Sequence, residues 1–201
     1  GYGTVTTDSA EAPVWCWYDA TVADRETVNM SSGGATDGFV TLDWDVVFYG
    51  ELATTVRIDV NGAINFDYQS ARNPNNSCDF ASWDSDGVAV FWDDLDMVGE
   101  GAGTIRYGVA GEEPHRIGVV WWDQVFQDEY PGDPLSFQVL LFEDDQHIEA
   151  HYLDVTVGQW EVDEGRSATI GLRHDQAEPF SCNDDSVRDG FSIGWWPPVA
   201  R

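Results

Sequence analysis

The segment from Phe39 to Phe66 reads FVTLDWDVVFYGELATTVRIDVNGAINF, and its pattern decides the fold class. Apolar and polar residues alternate along two parts of it, Phe39–Phe48 and Thr54–Val60. A period of two is that of a β-strand with one buried face. The Asn61-Gly62 dipeptide that follows is a signal for a tight hairpin, so Ala63–Phe66 is predicted to return as a third strand.

Similar runs fill the rest of the chain, separated by clusters of Gly, Asn, Asp and Pro. They predict an all-β fold, an antiparallel β-sandwich of about ten strands with long acidic loops. One run, Gly87–Leu95, is almost continuously apolar, which suits a strand buried on both faces. The other predicted strands are Gly103–Val109, Arg116–Val125, Leu135–Glu143, His147–Val155, Ala168–Arg173 and Gly190–Trp196.

One domain is expected over residues 1–201, because apolar residues make up 42% of the chain and can supply a single core. Within it, residues 1–38 are expected to form an N-terminal arm or edge strands. Residues 39–173 form the central part, and residues 174–201 contribute the C-terminal strand. No apolar run approaches the roughly 20 residues of a membrane span, so membrane insertion is not expected.

The charge of the chain limits its partners. There are 37 acidic residues against 9 basic ones, all of them Arg, giving a formal net charge of -28. Nucleic acid and anionic membranes are therefore excluded as partners, because both require a cationic face. Three explanations of the acid excess stay open: a surface suited to high salt, carboxylates for calcium, and solubility alone.

Three cysteines stand at Cys16, Cys78 and Cys182. Cys78 and Cys182 lie in polar, loop-like contexts, and we predict that they form a disulfide in an oxidising compartment. Cys16 would then be either a free thiol or the site of an intermolecular bond. The alternative is three free, buried thiols.

The order of several motifs resembles that of nidogen-like extracellular domains. The motifs are VVFYGELATTVRIDVNGAINF, GVAVFWDDLDM, GTIRYGV, HRIGVVWWDQV, LSFQVLLFEDDQHIEAHY and SATIGLR, and together they run from about Phe39 to Arg173. The resemblance implies an extracellular or cell-surface location and a module of a larger matrix or surface assembly. The acid load and the absence of Lys depart from the animal members and favour a microbial, marine or halophilic source.

Five aspartates form the candidate metal site: Asp84, Asp86, Asp93, Asp94 and Asp96. Two precede the apolar strand in a WDSDG turn, and three follow it. Calcium prefers six to eight oxygen ligands, which such turns can supply, and neighbouring carboxylates repel one another unless a cation lies between them. Calcium is therefore the predicted cofactor, with a solvated acidic loop as the alternative.

A second group of ligand-type residues, His147, Glu149 and His151, shares one face of a predicted strand. Consecutive members are about 7 Å apart along the strand, so a polar sheet face is favoured over a shared metal. Asp144 and Asp145, just before it, are interpreted as hairpin-turn residues.

Two pairs of adjacent tryptophans are the candidate partner-binding residues. Neighbours in a strand point to opposite faces, so one ring of Trp121–Trp122 and one of Trp195–Trp196 should face outward or into a second contact. Outward rings can anchor a protein partner or stack on sugars. Burial in a two-sided core, or under the termini, is the alternative.

No nucleophile elbow, metalloprotease helix or phosphate loop is present, so the chain is not expected to be an enzyme. The favoured function is a secreted surface or matrix module that mediates adhesion or self-assembly, as a filament or surface-layer subunit. Its partners would be other proteins or copies of itself. The first alternative is a calcium-dependent carbohydrate-binding module, which takes glycans as partners. A secreted hydrolase is the second alternative.

Overall fold

A computed structural model describes residues 1–9, 13–19, 25–27, 37–67, 74–97, 103–130 and 132–198, with the backbone alone for 25–27. The described residues form fourteen strands and one short 3-10 helix, Asp163–Gly165. The strands are β1 Gly3–Thr6, β2 Arg25–Thr27, β3 Asp37–Phe48, β4 Glu51–Asp59, β5 Ala63–Asn65, β6 Gly87–Trp92, β7 Leu95–Asp96, β8 Thr104–Ala110, β9 Ile117–Gln127, β10 Leu135–Phe142, β11 Ile148–Asp154, β12 Thr169–Arg173, β13 Ala177–Cys182 and β14 Phe191–Trp196.

The strands build two antiparallel sheets. The first has the order β1-β14-β11-β10-β9-β8-β2, with β7 attached to β9, and the second has the order β13-β12-β6-β5-β4-β3. All ten strands expected from the sequence are present, so the predicted all-β antiparallel sandwich is confirmed. The additional strands are short or irregular: β7 has two residues, and β13 contains Pro179.

The core lies between the inner faces of the two sheets. On β10 and β11 every second residue points into it, as the period-two pattern predicts. On β9 a bulge at Gln124 shifts the alternation, so that Trp122 and Val125 both point inward. Among the described residues, side-chain hydrogen bonds also cross the core from sheet to sheet. The indole N–H of Trp122 donates to the carbonyl of Asp59 at 2.9 Å, and the hydroxyl of Tyr152 donates to the carbonyl of Val90 at 2.8 Å.

The Asn61-Gly62 hairpin forms as predicted between β4 and β5. Gly62 has a φ of 77°, and a Cβ at this position would lie 2.0 Å from the carbonyl oxygen of Phe91, so only glycine fits. The Asn61 side chain accepts a hydrogen bond from the N–H of Leu95 at 3.0 Å. The hairpin therefore fixes the turn that follows β6.

Strand β6 is buried along its whole length, as the apolar run predicted. Its inner residues join the main core. On its outer side, Ala89 and Trp92 pack against Phe80 and Trp83 from the loop that precedes the strand. A segment without regular strands thus forms a second, smaller core on the outside of the second sheet. No helix in the described part of the chain is long and apolar enough to cross a membrane.

Candidate functional site

The N-terminal segment is attached to the first sheet in two places. Strand β1 forms an edge of this sheet by pairing with β14. Residues 13–19, called the N-terminal cover below, contact its outer face. There Trp17 and Tyr18 pack against an apolar cluster that includes Trp121. The first sheet is therefore covered on both faces, by the second sheet and by its own N-terminal residues.

Four outer-face side chains, one on each of four neighbouring strands, bind the backbone of the cover. The indole of Trp121 donates to the carbonyl of Tyr18, and the amide of Gln138 donates to the carbonyl of Cys16 at 3.2 Å. The register places the four in one row across the sheet. They are Trp121 on β9, Gln138 on β10, His151 on β11 and Ser192 on β14, and are called the anchor row below.

The other two members of the anchor row bind the cover in the same way. The N–H of Cys16 donates to Nδ1 of His151 at 3.4 Å, and the hydroxyl of Ser192 reaches the carbonyl of Pro13 at 3.5 Å. Gln138, His151 and Ser192 have no solvent-exposed surface. The cover thus supplies hydrogen-bond partners for polar side chains on an outer sheet face.

Glu149 of β11 joins His151 of the same strand to His147, the residue that precedes the strand. Its Oε2 lies 2.8 Å from Nε2 of His151, and its Oε1 lies 3.2 Å from Nε2 of His147. Nδ1 of His151 accepts from the cover, so a neutral His151 carries its proton on Nε2 and donates it to Glu149. The predicted shared face of His147, Glu149 and His151 is confirmed, and the three form one hydrogen-bonded chain.

The electrostatics of these three side chains favour the charged forms of His147 and Glu149. Burial would raise the pKa of Glu149, but the hydrogen bonds from His147 and His151 outweigh it, so that pKa lies below its ordinary value. Burial would lower the pKa of His147, but hydrogen bonds to Glu149 and Asp145 outweigh it, so that pKa lies above its ordinary value. Both shifts therefore have the sign that favours the charged forms of His147 and Glu149.

The five predicted metal-site aspartates do not come together. Asp84 and Asp86 precede β6, whereas the other three follow it, and a strand of this length separates its ends by about 20 Å. Asp84 is exposed, and Asp86 lies 2.9 Å from Nδ1 of His174. One ion cannot contact both groups, so the prediction of a single five-residue site is wrong. Calcium binding at either end of β6 stays a prediction.

The three aspartates after β6 lie in an acidic environment. Burial raises the pKa of Asp93, whose carboxylate accepts hydrogen bonds from the hydroxyl of Ser167 and the N–H of Asp94. Burial, followed by repulsion from Asp128 and Asp93, raises the pKa of Asp94. Asp96 continues the cluster in β7. Repulsion between neighbouring carboxylates was one reason for the calcium prediction. Among the described residues, however, no group of three side chains that includes these carboxylates brings its ligand atoms close enough together to hold a metal ion.

The predicted disulfide between Cys78 and Cys182 is present, with a Cα–Cα distance of 5.3 Å. It joins the loop before β6 to strand β13. Cys16 is a free, exposed thiol in the cover. Its backbone is held on both sides by the anchor row, so the thiol is presented to solvent from a fixed position.

A family model described as NIDO related matches residues 16–192, most of the chain. The chain belongs to the NIDO-related family. No curated protein and no solved structure matches it. The match extends beyond both ends of the central part predicted from Phe39 to Arg173. It begins inside the N-terminal cover and contains the whole anchor row.

In this NIDO-related domain the tryptophan pairs point to opposite faces, as predicted, and the outward ring of each pair lies in a second contact. Trp122 and Trp195 lie in the main core, and Trp121 lies under the cover. Trp196 is half-buried and stacks on His147 with ring centroids 4.9 Å apart. A role of these residues in partner binding stays a prediction that requires the cover to move.

Two features of the NIDO-related domain were missed from the sequence. The first is the anchor row; its signal was the recurrence of polar Gln138, His151 and Ser192 at outward positions of otherwise apolar strands. The second is Trp160, whose exposure of 70% is the highest of any described tryptophan. Nothing in its local pattern distinguished this residue from the buried ones.

Proposed function

We propose that this chain is an extracellular, non-catalytic module that assembles with copies of itself by exchanging its N-terminal segment. The observation that carries the proposal is the attachment of residues 1–9 and 13–19. They add a strand to an exposed edge and cover an outer face, through contacts that a second copy's segment could make equally well. The exchanged segment would make the same contacts on a second copy as on its own, so the exchange costs little free energy.

The edges of the sheets support this assignment. On the second sheet, edge strand β3 carries exposed Asp43 and Asp45, and edge strand β13 carries exposed Glu178 and Pro179. Charges and proline on an edge prevent pairing with another chain. Strand β14 has no comparable protection. Without β1 its backbone groups would be open for pairing, which makes this edge the favoured place for a donated strand.

An extracellular location is supported by the Cys78–Cys182 disulfide, because such bonds persist in oxidising compartments. The net charge of -28 sets a condition on assembly. Copies of the chain repel one another at low ionic strength, and salt or divalent cations are needed to screen this repulsion.

Light scattering coupled to size-exclusion chromatography tests the proposal. The chain is measured over about a thousandfold range of concentration. Each concentration is run in about 0.1 M and about 2 M salt, with calcium or with chelator. We expect oligomers that increase with concentration and salt. A strict monomer under every condition would contradict self-assembly. Oligomers that form only with calcium would instead assign the assembly to the acidic loops.

A further inference from the structure

The turn between β10 and β11 brings together three side chains of metal-ligand type: Asp144 and Asp145, which were interpreted as hairpin-turn residues, and His147, which was predicted to lie on a polar sheet face. One ligand atom from each of Asp144, Asp145 and His147 lies within 4.8 Å of the others. About half of the surface of each aspartate side chain is open to solvent, whereas His147 is more than nine-tenths buried. We refer to these three residues as the hairpin cluster.

The imidazole of His147 is held in one orientation. Phe142 stacks on one side with a centroid distance of 3.8 Å, and Trp196 stacks nearly parallel at 4.9 Å. Nε2 faces Glu149 at 3.2 Å, and Nδ1 faces the carboxylate of Asp145. The ring therefore cannot turn to find other partners.

Both nitrogens of His147 thus face carboxylate oxygens. A neutral imidazole has one N–H and can donate to only one of them. The other nitrogen then directs a lone pair at a carboxylate, which is repulsive unless a cation lies between the two groups or the ring itself is protonated. Arg116 does not supply that charge, because its guanidinium is already bound to Glu143 through two hydrogen bonds.

We propose that the hairpin cluster binds a divalent ion of the zinc type through Nδ1 of His147 and the carboxylates of Asp144 and Asp145. A mixed nitrogen and oxygen donor set suits zinc, whereas calcium takes oxygen ligands. Glu149, accepting from Nε2 of His147, fills the role of the carboxylate that orients a metal-bound histidine.

A fourth ligand is available at the rim of the cluster. Nδ1 of His115 lies 3.3 Å from Oδ2 of Asp144, and its side chain is mostly exposed. With this imidazole the ion would have two histidines and two carboxylates, enough for tetrahedral coordination. The half-exposed Asp145 carboxylate has room to turn and admit the ion.

Isothermal titration with zinc chloride tests the site on the full chain carrying Cys16→Ser, which removes the exposed thiol as a competing ligand. The test variant is Asp144→Asn with Asp145→Asn, both exposed and therefore safe for folding. The matched control is Asp133→Asn with Glu161→Gln, which makes the same change of charge at exposed positions outside every candidate metal site. The imidazole signals of His147 are followed by NMR in the same titration.

We expect one zinc ion per chain, a shift of the His147 signals on binding, and at least a 10-fold weaker affinity in the test variant but not in the control. Three results would overturn the site. They are equal affinity in both variants, no saturation at about 100 µM free zinc, or His147 signals that do not move. The last would leave protonation of the ring as the charge that satisfies both carboxylates.

Discussion

The backbone N–H of Cys16 donates to Nδ1 of His151, and Nε2 of the same ring faces Glu149 at 2.8 Å. One buried imidazole therefore joins the N-terminal cover to a carboxylate of the first sheet. Because His151 is fully buried, its lone pair at Nδ1 has no access to water, and loss of the Cys16 contact leaves it unsatisfied.

Replacing this histidine should loosen the cover without unfolding the sandwich. We expect His151→Leu to accelerate hydrogen exchange of the amides in residues 13–19 by about fivefold to tenfold, the factor that corresponds to one hydrogen bond. Mass spectrometry of the N-terminal peptides measures this. Val14→Ala, at an exposed position of the same segment, is the control. Equal protection in both variants would show that His151 does not hold the cover.

The pair His147 and Glu149 should make stability depend on pH with a definite sign. The pKa of His147 is raised from 6.5, so its stabilisation is complete below that value and declines as pH rises through the folded pKa. The pKa of Glu149 is lowered from 4.5, so its stabilisation is complete above that value and declines as pH falls through the folded pKa. Both contributions are present together in mildly acidic solution.

The measurement is urea unfolding of the wild type and His147→Gln in chelator, at about pH 5.5 and about pH 8.5. We expect the wild type's advantage in unfolding free energy to be larger at the lower pH, by an amount on the order of 1 kcal/mol. Gln159→Asn, an exposed substitution that removes no ionisable group, is the control. An advantage that grows with pH would refute the charged pair.

Removing the disulfide should destabilise the whole domain. Cys78 and Cys182 are separated by 104 residues, and opening a loop of this size costs roughly 2–5 kcal/mol. The double variant Cys78→Ser with Cys182→Ser is compared with Cys16→Ser by urea unfolding. We expect a clear fall of the midpoint in the first and little change in the second. Identical midpoints would mean that the loop before β6 contributes nothing to stability.

The hydrogen bond from Tyr152 to Val90 joins the inner faces of the two sheets. Tyr152→Phe keeps the ring but leaves a buried carbonyl unsatisfied, so it should lower the free energy of unfolding by about 1–2 kcal/mol. Tyr130→Phe, at a partly buried position near the rim, serves as the control and should change it by less than about 0.5 kcal/mol. Equal effects would argue against close facing of β6 and β11.

Sequence reasoning succeeded where a residue's own neighbours decide its conformation. The alternation of Phe39–Phe48 and the Asn61-Gly62 hairpin are local signals, and both appear in the structure. The apolar run of β6 was predicted to be buried on both faces for the same reason. Its outer cover, however, comes from Phe80 and Trp83 in a segment that has no periodic pattern.

The candidate site could not be predicted from the sequence, because its residues are distant along the chain and only the folded sheet brings them together. The five aspartates around β6 are close in sequence, but a straight strand separates them. His151, Gln138 and Cys16 are distant in sequence, and the sheet register brings them together. Alternation correctly predicted that one ring of the Trp121–Trp122 pair points to the outer face of the sheet. It could not predict that the N-terminal cover lies over that face.

Exchange of the N-terminal strand between copies can be measured directly by cysteine cross-linking. Gly3 and Trp196 are register partners in β1 and β14, and antiparallel partners lie within the span of a disulfide. A Cβ at Gly3 meets no atom within 4 Å. With Cys16→Ser in both chains, Gly3→Cys is mixed with Trp196→Cys and oxidised, and the linked peptides are identified by mass spectrometry. A mixture of Gly3→Cys with Asp175→Cys, an exposed position away from β14, is the control.

We predict a covalent dimer that joins residue 3 of one copy to residue 196 of another, at a yield well above that of the control mixture. The single chain carrying both substitutions, oxidised at a concentration low enough to keep it monomeric, should instead close an internal bond. If the two mixtures cross-link equally, or if only the internal bond ever forms, then the N-terminal strand stays on its own sheet and assembly by strand exchange is contradicted.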